Sequence, residues 1–195
     1  MGRTRAYVEK DVLRGAMQAF RRKGYQAVSI RDLETATGLK AGSIYNSFGD
    51  KAALFDAAFA HYNRAVLRYR IDRFAPPSAG LGGLRDLFRS LLHEPNRESF
   101  GCLITNSAVE LGGAGSSHPS VREGFKILTD TFRDRLTAAR RSGLLRRGIE
   151  PVATATKLLA LYQGILVLVR GGHDKKVLEE MLMTEFNNLE VHHDA

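Results

Sequence analysis

Helical periodicity is the feature that most constrains the fold of this 195-residue chain. Apolar residues recur at three- and four-residue intervals in nearly every segment, and no stretch alternates at the two-residue period of a strand. The first segment shows the pattern, with Val12, Leu13, Ala16, Met17 and Phe20 on one helix face. We therefore predict an all-α fold of about nine helices.

Capping residues predict the bounds of the first three helices. Gly24 is expected to end the first helix, since glycine tolerates the left-handed conformation at a C-cap. Ser29 is expected to cap a short second helix, with Asp32 as its partner in a capping-box-like arrangement. That helix should end at Gly38, and a third is expected at about 41–48.

Turn-forming residues predict where the later helices break. Asp50 is expected to cap a long fourth helix, and Pro76, Pro77 and the glycine-rich stretch 80–83 to interrupt the chain after it. Further helices are expected from Leu84 until before Pro95, from Ser99 to Leu111, from Pro119 onward, and as a final pair after Pro151.

The penultimate helix is apolar on almost every side between Leu158 and Val169. This run is shorter than a bilayer-spanning helix, so no membrane segment is expected. A helix that is apolar all round must be covered on more than one face. We therefore predict homodimerisation through the last two helices, about 152–190, although a thick intrachain core is the alternative.

Charge and cysteine usage narrow the class of protein. The net charge is +8, and residues 1–51 hold ten Lys or Arg against five Asp or Glu. This basic segment indicates a polyanionic partner, or else only a solvated basic face. The single cysteine, Cys102, excludes an intrachain disulfide and favours a cytoplasmic location. The first residues are charged and are not followed by an apolar stretch, so a signal peptide is not expected.

The segment 29–51 carries the most specific functional signal. Two short helices joined by a tight turn containing glycine are typical of a helix-turn-helix, whose second helix can lie in the DNA major groove. The apolar residues expected to hold these two helices together are Ile30, Leu33, Ala36, Leu39, Ile44 and Phe48.

The run Gly38–Phe48, followed by Asp50-Lys51 and Ala53-Leu54-Phe55, resembles the signature of the TetR family of bacterial regulators. Residues 20–25 and 29–33 match the same pattern in register. The resemblance implies a helix-turn-helix DNA-binding domain at residues 1–50 and a helical ligand-sensing and dimerisation domain at residues 51–195. It also implies a repressor that binds a pseudo-palindromic operator as a homodimer, is released by a small-molecule effector, and has neither a cofactor nor an enzymatic activity.

The resemblance assigns DNA contacts residue by residue. Ser29 and Arg31 would meet backbone phosphate at a helix N-terminus, where an anion is favoured. Gly42 would let the third helix approach DNA closely. Lys40, Ser43 and Asn46 would face base edges, and Tyr45 and Lys51 would contact phosphate. The alternative is that Lys40, Asn46 and Lys51 are merely solvated. The implied DNA-binding residues are Ser29, Arg31, Lys40, Ala41, Gly42, Ser43, Tyr45, Asn46 and Lys51.

A ligand pocket is expected in the sensing half. Asn106 and Glu110 lie one helical turn apart, and Gln163 stands in an otherwise apolar helix, so these polar groups are expected to orient a ligand. Their alternative partners are backbone groups or a second subunit, and each aromatic candidate is equally suited to a core. The candidates are Phe59, Tyr62, Phe88, Cys102, Asn106, Glu110, Phe125, Phe132, Tyr162 and Gln163.

Other chemistry is weakly signalled. The Gly-Cys-Leu sequence at 101–103 is similar to one branch of TetR regulators, some of which sense electrophiles or oxidants through the cysteine, but a free cysteine is commonly a buried hydrophobe. His173 and the terminal stretch 192–194 do not predict a metal site. Neither a nucleophile elbow nor a phosphate loop indicates an enzyme. An enzyme is thus the first alternative to a DNA-binding regulator. A sequence-tolerant DNA-packaging protein is the second, and the polar third helix disfavours it.

Overall fold

The computed structural model describes residues 2–93, 101–112 and 118–191, and within these ranges the chain is helical, without a β-strand. The helices are α1 (Gly2–Lys23), α2 (Ile30–Thr37), α3 (Ala41–Phe48), α4 (Lys51–Tyr62), α5 (Arg68–Phe74), α6 (Gly80–Arg89), α7 (Leu103–Leu111), α8 (Pro119–Arg141), α9 (Pro151–Arg170) and α10 (Lys175–Leu189). A π-helical turn, Asn63–Leu67, joins α4 to α5 without a break, so the number of separate helices is close to the expected nine. The all-α prediction is confirmed. The predicted helix start at Ser99 lies outside the described residues.

The chain forms two compact units. The first unit comprises Met1–Leu67 and Phe100–Gly124, and the second comprises Arg68–Ser99 and Phe125–Ala195. The boundary predicted at residue 50 is one between functions, DNA binding and sensing. It does not coincide with the boundary between the two packed units, since the first unit continues to Leu67. It stays a prediction about function.

The first unit is built around the packing of α1 against α4. The rings of Phe20 and Phe55 meet edge to face, with their centroids 5.0 Å apart and both side chains buried. Such a pair contributes about 0.5–1.5 kcal/mol beyond the burial of its apolar area. α2 also packs closely against α1. A Cβ on Gly15 would stand only 2.0 Å from the carbonyl oxygen of Ala36, so only glycine fits at this position of α1.

The second unit is built around four buried aromatic rings. The centroid of Phe88 lies 5.4 Å from that of Phe132 and 5.3 Å from those of Tyr162 and Phe186. These residues come from α6, α8, α9 and α10, and each is almost fully buried. One cluster of rings therefore holds the four helices together.

The glycine-rich stretch 80–83 is not a break between helices, because it forms the first turn of α6. Pro76 and Pro77 follow the end of α5 as expected, but Gly80 already begins α6. A Cβ on Gly83 would stand 2.4 Å from the Cβ of Ala79 and 2.9 Å from the carbonyl oxygen of Phe74. The expected break at 80–83 is wrong because Gly83 serves a close helical packing contact rather than a flexible turn.

The helix that carries the apolar run 158–169 is longer than the run itself. α9 continues beyond both ends of the apolar run and is, by length and composition, the one described helix apolar enough to cross a membrane. One side of α9 is buried inside the second unit through Leu158, Tyr162 and Ile165, while Val152 and Val167 are exposed. The helix is therefore packed on one face and apolar on the other.

The tight packing at Gly83 yields a stability prediction. Gly83→Ala should lower the free energy of unfolding by about 1–3 kcal/mol, because the added methyl group overpacks the contact with Ala79. Gly82 is the matched control, since a Cβ there would meet only the Arg85 side chain, at 3.9 Å. Gly82→Ala should leave stability unchanged or raise it by up to about 1 kcal/mol, through helix propensity. Urea unfolding of both variants measures the difference, and equal midpoints would contradict the close approach.

Candidate nucleic-acid interface

α2 begins with the capping box expected from the sequence. The Ser29 hydroxyl accepts a hydrogen bond from the Asp32 N–H at 3.1 Å, and the Asp32 carboxylate accepts from the Ser29 N–H at 3.0 Å. A 2.6 Å hydrogen bond from the Lys23 ammonium, together with those from Ser29, holds the pKa of the Asp32 carboxyl well below its usual range. These bonds fix the start of α2 relative to the end of α1.

A carboxylate on α2 fixes the start of α3. The Ala41 N–H donates to the Glu34 side chain at 2.8 Å, while Lys40, the N-cap residue, makes no side-chain capping bond. The turn between the helices contains Gly38 at φ +73°, which confirms the predicted end of α2. Sequence reasoning missed the role of Glu34, although an acidic residue in the last turn before a second helix is a readable signal.

The apolar seam between α2 and α3 is smaller than expected. Leu33 and Ile44 are fully buried, whereas Ile30, Leu39 and Phe48 are only half-buried. The prediction for the sixth seam residue, Ala36, is wrong, because its side chain is exposed. Instead, the backbone carbonyl of Ala36 faces Gly15 on α1.

The outward side of α2 and α3 carries most of the predicted DNA contacts. Gly42 borders open space, since a Cβ there would have no neighbour within 4 Å. The hydroxyl of Ser29 is exposed but already engaged in the capping box. Ala41 and Lys51 are half-buried. The exposed predicted residues are Ser29, Arg31, Lys40, Gly42, Ser43, Tyr45 and Asn46.

Lys51 is held beside the turn that follows α1. Its ammonium nitrogen lies 4.9 Å from the ring centroid of Tyr25 and 3.4 Å from the carbonyl oxygen of Gln26. A cation over an aromatic face is attracted by the negative charge of the ring face. Tyr25 in turn packs on Phe55, with centroids 4.9 Å apart. The sequence did not single out Tyr25, which positions this cation at the first turn of α4.

α7 holds the same turn from the other side. The backbone N–H groups of Tyr25 and Gln26 donate to the Glu110 carboxylate at 2.8 and 2.6 Å. The side chain of Asn106 donates to the carbonyl oxygen of Arg21 at 3.0 Å. Two of the three polar residues predicted to orient a ligand therefore bond to the backbone at or just after the end of α1, which is the alternative that the sequence left open.

The other predicted ligand residues are divided between the two units. In the first unit, Tyr62 Oη lies 3.0 Å from the buried Cys102 Sγ, and Phe59 packs against Tyr62. In the second unit, Phe88, Phe132 and Tyr162 belong to the aromatic core, while Phe125 and Gln163 are half-buried. Their role toward a ligand stays a prediction.

Metal ligation has little support in the described ranges. No group of three or more His, Cys, Asp or Glu side chains there is placed to hold a metal ion. The terminal stretch 192–194, considered in the sequence analysis, lies outside these ranges.

The contact between α7 and the end of α1 yields a second prediction. Glu110→Gln should lower the free energy of unfolding by about 1–2 kcal/mol, because an amide offers one acceptor where the carboxylate accepts two charge-assisted hydrogen bonds. Glu123→Gln, on the exposed side of α8, removes the same charge where no hydrogen bond joins the carboxylate to the described residues. Urea unfolding should separate the two variants, and equal losses would show that the effect is one of net charge.

Known proteins share both the sequence pattern and the fold. A family model described as bacterial regulatory proteins, tetR family, matches residues 12–58, and one described as tetracyclin repressor-like, C-terminal domain, matches residues 80–184. The HTH-type transcriptional repressor DhaR of Mycobacterium sp. (strain GP1) is 24% identical over 190 residues, which cover 95% of this chain and 93% of that protein.

Solved structures resemble this chain over nearly its whole length. A TetR transcriptional regulator from Chloroflexus aurantiacus J-10-FL has a TM-score of 0.82 at 24% identity, covering 97% of this chain and 100% of its own. A cysteine mutant of the TetR family regulator CifR, in complex with 26-base-pair double-strand operator DNA, has a TM-score of 0.77 at 22% identity, with 92% and 95% covered. At these identities the structural likeness concerns the fold.

The family assignment rests on the sequence models. The C-terminal model alone matches more than half of the 195 residues, and the N-terminal model spans the helix-turn-helix described above. The chain therefore belongs to the TetR family of bacterial helix-turn-helix transcriptional regulators.

Proposed function

We propose that this protein is a cytoplasmic, homodimeric repressor that binds a pseudo-palindromic DNA operator through α3 and is released by a small-molecule effector. The observation that carries the DNA-binding part is the outward face of α3. Lys40, Ser43 and Asn46 are exposed at the start of α3 or along it, and the Lys40 side chain makes no capping bond. The proposed activity is binding rather than catalysis, with double-stranded DNA as the partner.

The proposed contacts fall into two groups. Lys40, Ser43 and Asn46 face base edges in the major groove, which read the sequence. Arg31, Tyr45 and Lys51 meet phosphates, which set the position of the protein on the duplex without reading sequence. The DNA complex of the related CifR mutant supports a duplex partner, and the open space at Gly42 supports a close approach of α3.

These two groups give different mutational signatures. Lys51→Ala should weaken binding to all duplexes and reduce the slope of log K against log salt by about 1. Asn46→Ala should instead cost about 1–3 kcal/mol of discrimination between operator and altered operator, with the salt slope unchanged. Fluorescence anisotropy across salt concentrations, with an operator selected from genomic fragments, measures both quantities.

The control for this experiment is Arg141→Ala, which removes an exposed cation at the end of α8, outside the helix-turn-helix and the proposed dimer interface. It should bind the operator like the wild type. Operator affinity unchanged in Lys51→Ala at every salt concentration would reject the proposed docking. Equal affinity of the wild type for the operator and an unrelated duplex would favour the DNA-packaging alternative instead.

The homodimer is supported by the outer faces of α9 and α10. Val152 and Val167 on α9 are 68% and 52% exposed, and Val177 on α10 is 51% exposed. Extended exposed apolar surface marks protein–protein or membrane contacts. Ala160 and Gly164, also exposed on α9, are small enough to let a second helix approach. We propose a second copy of the chain as the cover, since the other face of α9 is already packed in the second unit.

A charge on this face should separate the subunits. Val167→Glu should convert a dimer to a monomer, because the carboxylate would lose its hydration in the interface. Val109→Glu is the matched control, since Val109 on α7 is 78% exposed and lies outside α9 and α10. Light scattering coupled to size exclusion reports the mass of each variant. A dimer that survives Val167→Glu and dissociates in Val109→Glu would place the interface elsewhere.

Release by an effector is a matter of linkage. The effector must bind the DNA-incompetent state more tightly, and DNA then weakens effector binding by the same factor. α4 is the proposed lever, because Lys51 stands in its first turn while Phe59 and Tyr62 are buried further along the same helix. Cys102, buried against Tyr62, stays a proposed part of the sensing region.

A further inference from the structure

Backbone hydrogen bonds hold the loop between α8 and α9, residues 142–150, in one conformation. α8 is followed by a glycine cap, where Gly143, at φ +71°, donates its N–H to the carbonyl oxygen of Arg140. The loop is also joined to the end of α10, because the Arg146 N–H donates to the Leu189 carbonyl oxygen at 2.9 Å. Side chains on this loop therefore project from a fixed backbone.

This loop borders a cleft of about 830 Å³ in the second unit. The volume lies in the range of small-molecule sites. Among the described residues, no acidic side chain lines the cleft, whereas three arginines do, Arg140, Arg146 and Arg147. The lining therefore favours an anionic occupant.

The three arginines of the cleft are not equally available. Arg140 is already paired, because its guanidinium donates to the Glu150 carboxylate at 3.1 and 3.3 Å and to the carbonyl oxygen of Ile149. Arg146 and Arg147 are exposed, and no hydrogen bond or ion pair joins either guanidinium to the described part of the chain. Two uncompensated guanidinium groups, which are suited to bidentate binding of an anion, thus stand at one cleft.

The turn that carries these two arginines adds backbone donors. The Ile149 N–H donates to the Arg146 carbonyl oxygen at 3.3 Å and closes a β-turn, in which Gly148 adopts φ +83°. Within the described ranges, the N–H groups of Arg147 and Gly148 have no hydrogen-bond partner. Successive N–H groups of this kind in a turn are suited to binding an anion.

We propose that this cleft binds the phosphate group of a phosphorylated small molecule. Arg146 and Arg147 pair with the phosphate oxygens, and the amides of the turn supply further donors. A phosphate monoester offers three acceptor oxygens, so it satisfies this set of donors more fully than a carboxylate, which offers two.

The same features favour a small molecule over duplex DNA as the source of the phosphate. Binding to a duplex depends on cations that neutralise several phosphates along its backbone, whereas this cleft presents two uncompensated guanidinium groups. The loop also lies outside the helix-turn-helix, on the other compact unit. The site therefore goes beyond the proposed operator binding and does not depend on it.

Isothermal titration of the full chain with phenyl phosphate and phenylacetate, at constant ionic strength, tests the site. Phenyl phosphate should bind at least about fivefold more tightly than phenylacetate, because it engages more donors. Arg146→Gln and Arg147→Gln should each weaken phenyl phosphate binding about tenfold, a difference of about 1.4 kcal/mol. Arg141→Gln is the matched control and should bind like the wild type, since Arg141 is an exposed arginine at the end of α8 that does not line the cleft.

Three results of the titration would overturn the site. These are no binding of phenyl phosphate at millimolar concentration, equal affinities for the two probes, and a loss in Arg141→Gln as large as that in Arg146→Gln. The third result would show an effect of net charge alone.

Operator binding by the same variants separates the two sources of phosphate. Arg146→Gln and Arg147→Gln should keep the operator affinity of the wild type. A loss as large as that of Lys51→Ala would assign the cleft to the DNA backbone and overturn the small-molecule site. A protein that binds phenyl phosphate but no operator would reject the proposed function and leave the site standing.

Discussion

The pair of hydrogen bonds that Glu110 accepts from the turn after α1 is the interaction on which the arrangement of the helix-turn-helix depends. The first residue after α1, Gly24, still donates its N–H to the carbonyl oxygen of Phe20, whereas the next two backbone N–H groups find their partner outside the helix. Gly24, at φ +85°, turns the chain so that the amides of Tyr25 and Gln26 point at one carboxylate. The position of Tyr25 then sets that of Lys51, and the same turn leads directly into the cap of α2.

Local signals in the sequence predicted the helix-turn-helix well because the interactions behind them are local. The bonds between Ser29 and Asp32, and the capping of α4 by Asp50, join residues three positions apart. Gly24 and Gly38 adopt the left-handed conformation that their positions after a helix require. Each of these features can be recognised without knowing what else packs nearby.

Long-range partners could not be predicted in the same way. Glu110 and Tyr25 are 85 positions apart, and the spacing of Asn106 and Glu110 shows only that they share a helix face, not what that face meets. The same limit applies to Gly83, whose packing against Phe74 and Ala79 cannot be told from a flexible glycine run by composition. It applies also to the π-helical turn at Asn63, whose buried amide donates to the Ser120 carbonyl oxygen at 3.0 Å.

In the helix-turn-helix, the residues that hold the helices in place differ from the residues proposed to contact DNA bases. This separation affects how operator preference evolves. The bonds that hold α2 and α3 in place come from Ser29, Asp32 and Glu34, none of which lies on α3. Lys40 makes no side-chain capping bond, and Asn46 is an exposed side chain with no hydrogen bond to the described part of the chain. Substitutions at these two positions therefore carry little cost in folding. A duplicated copy of the gene can acquire a new target sequence while inheriting an intact scaffold.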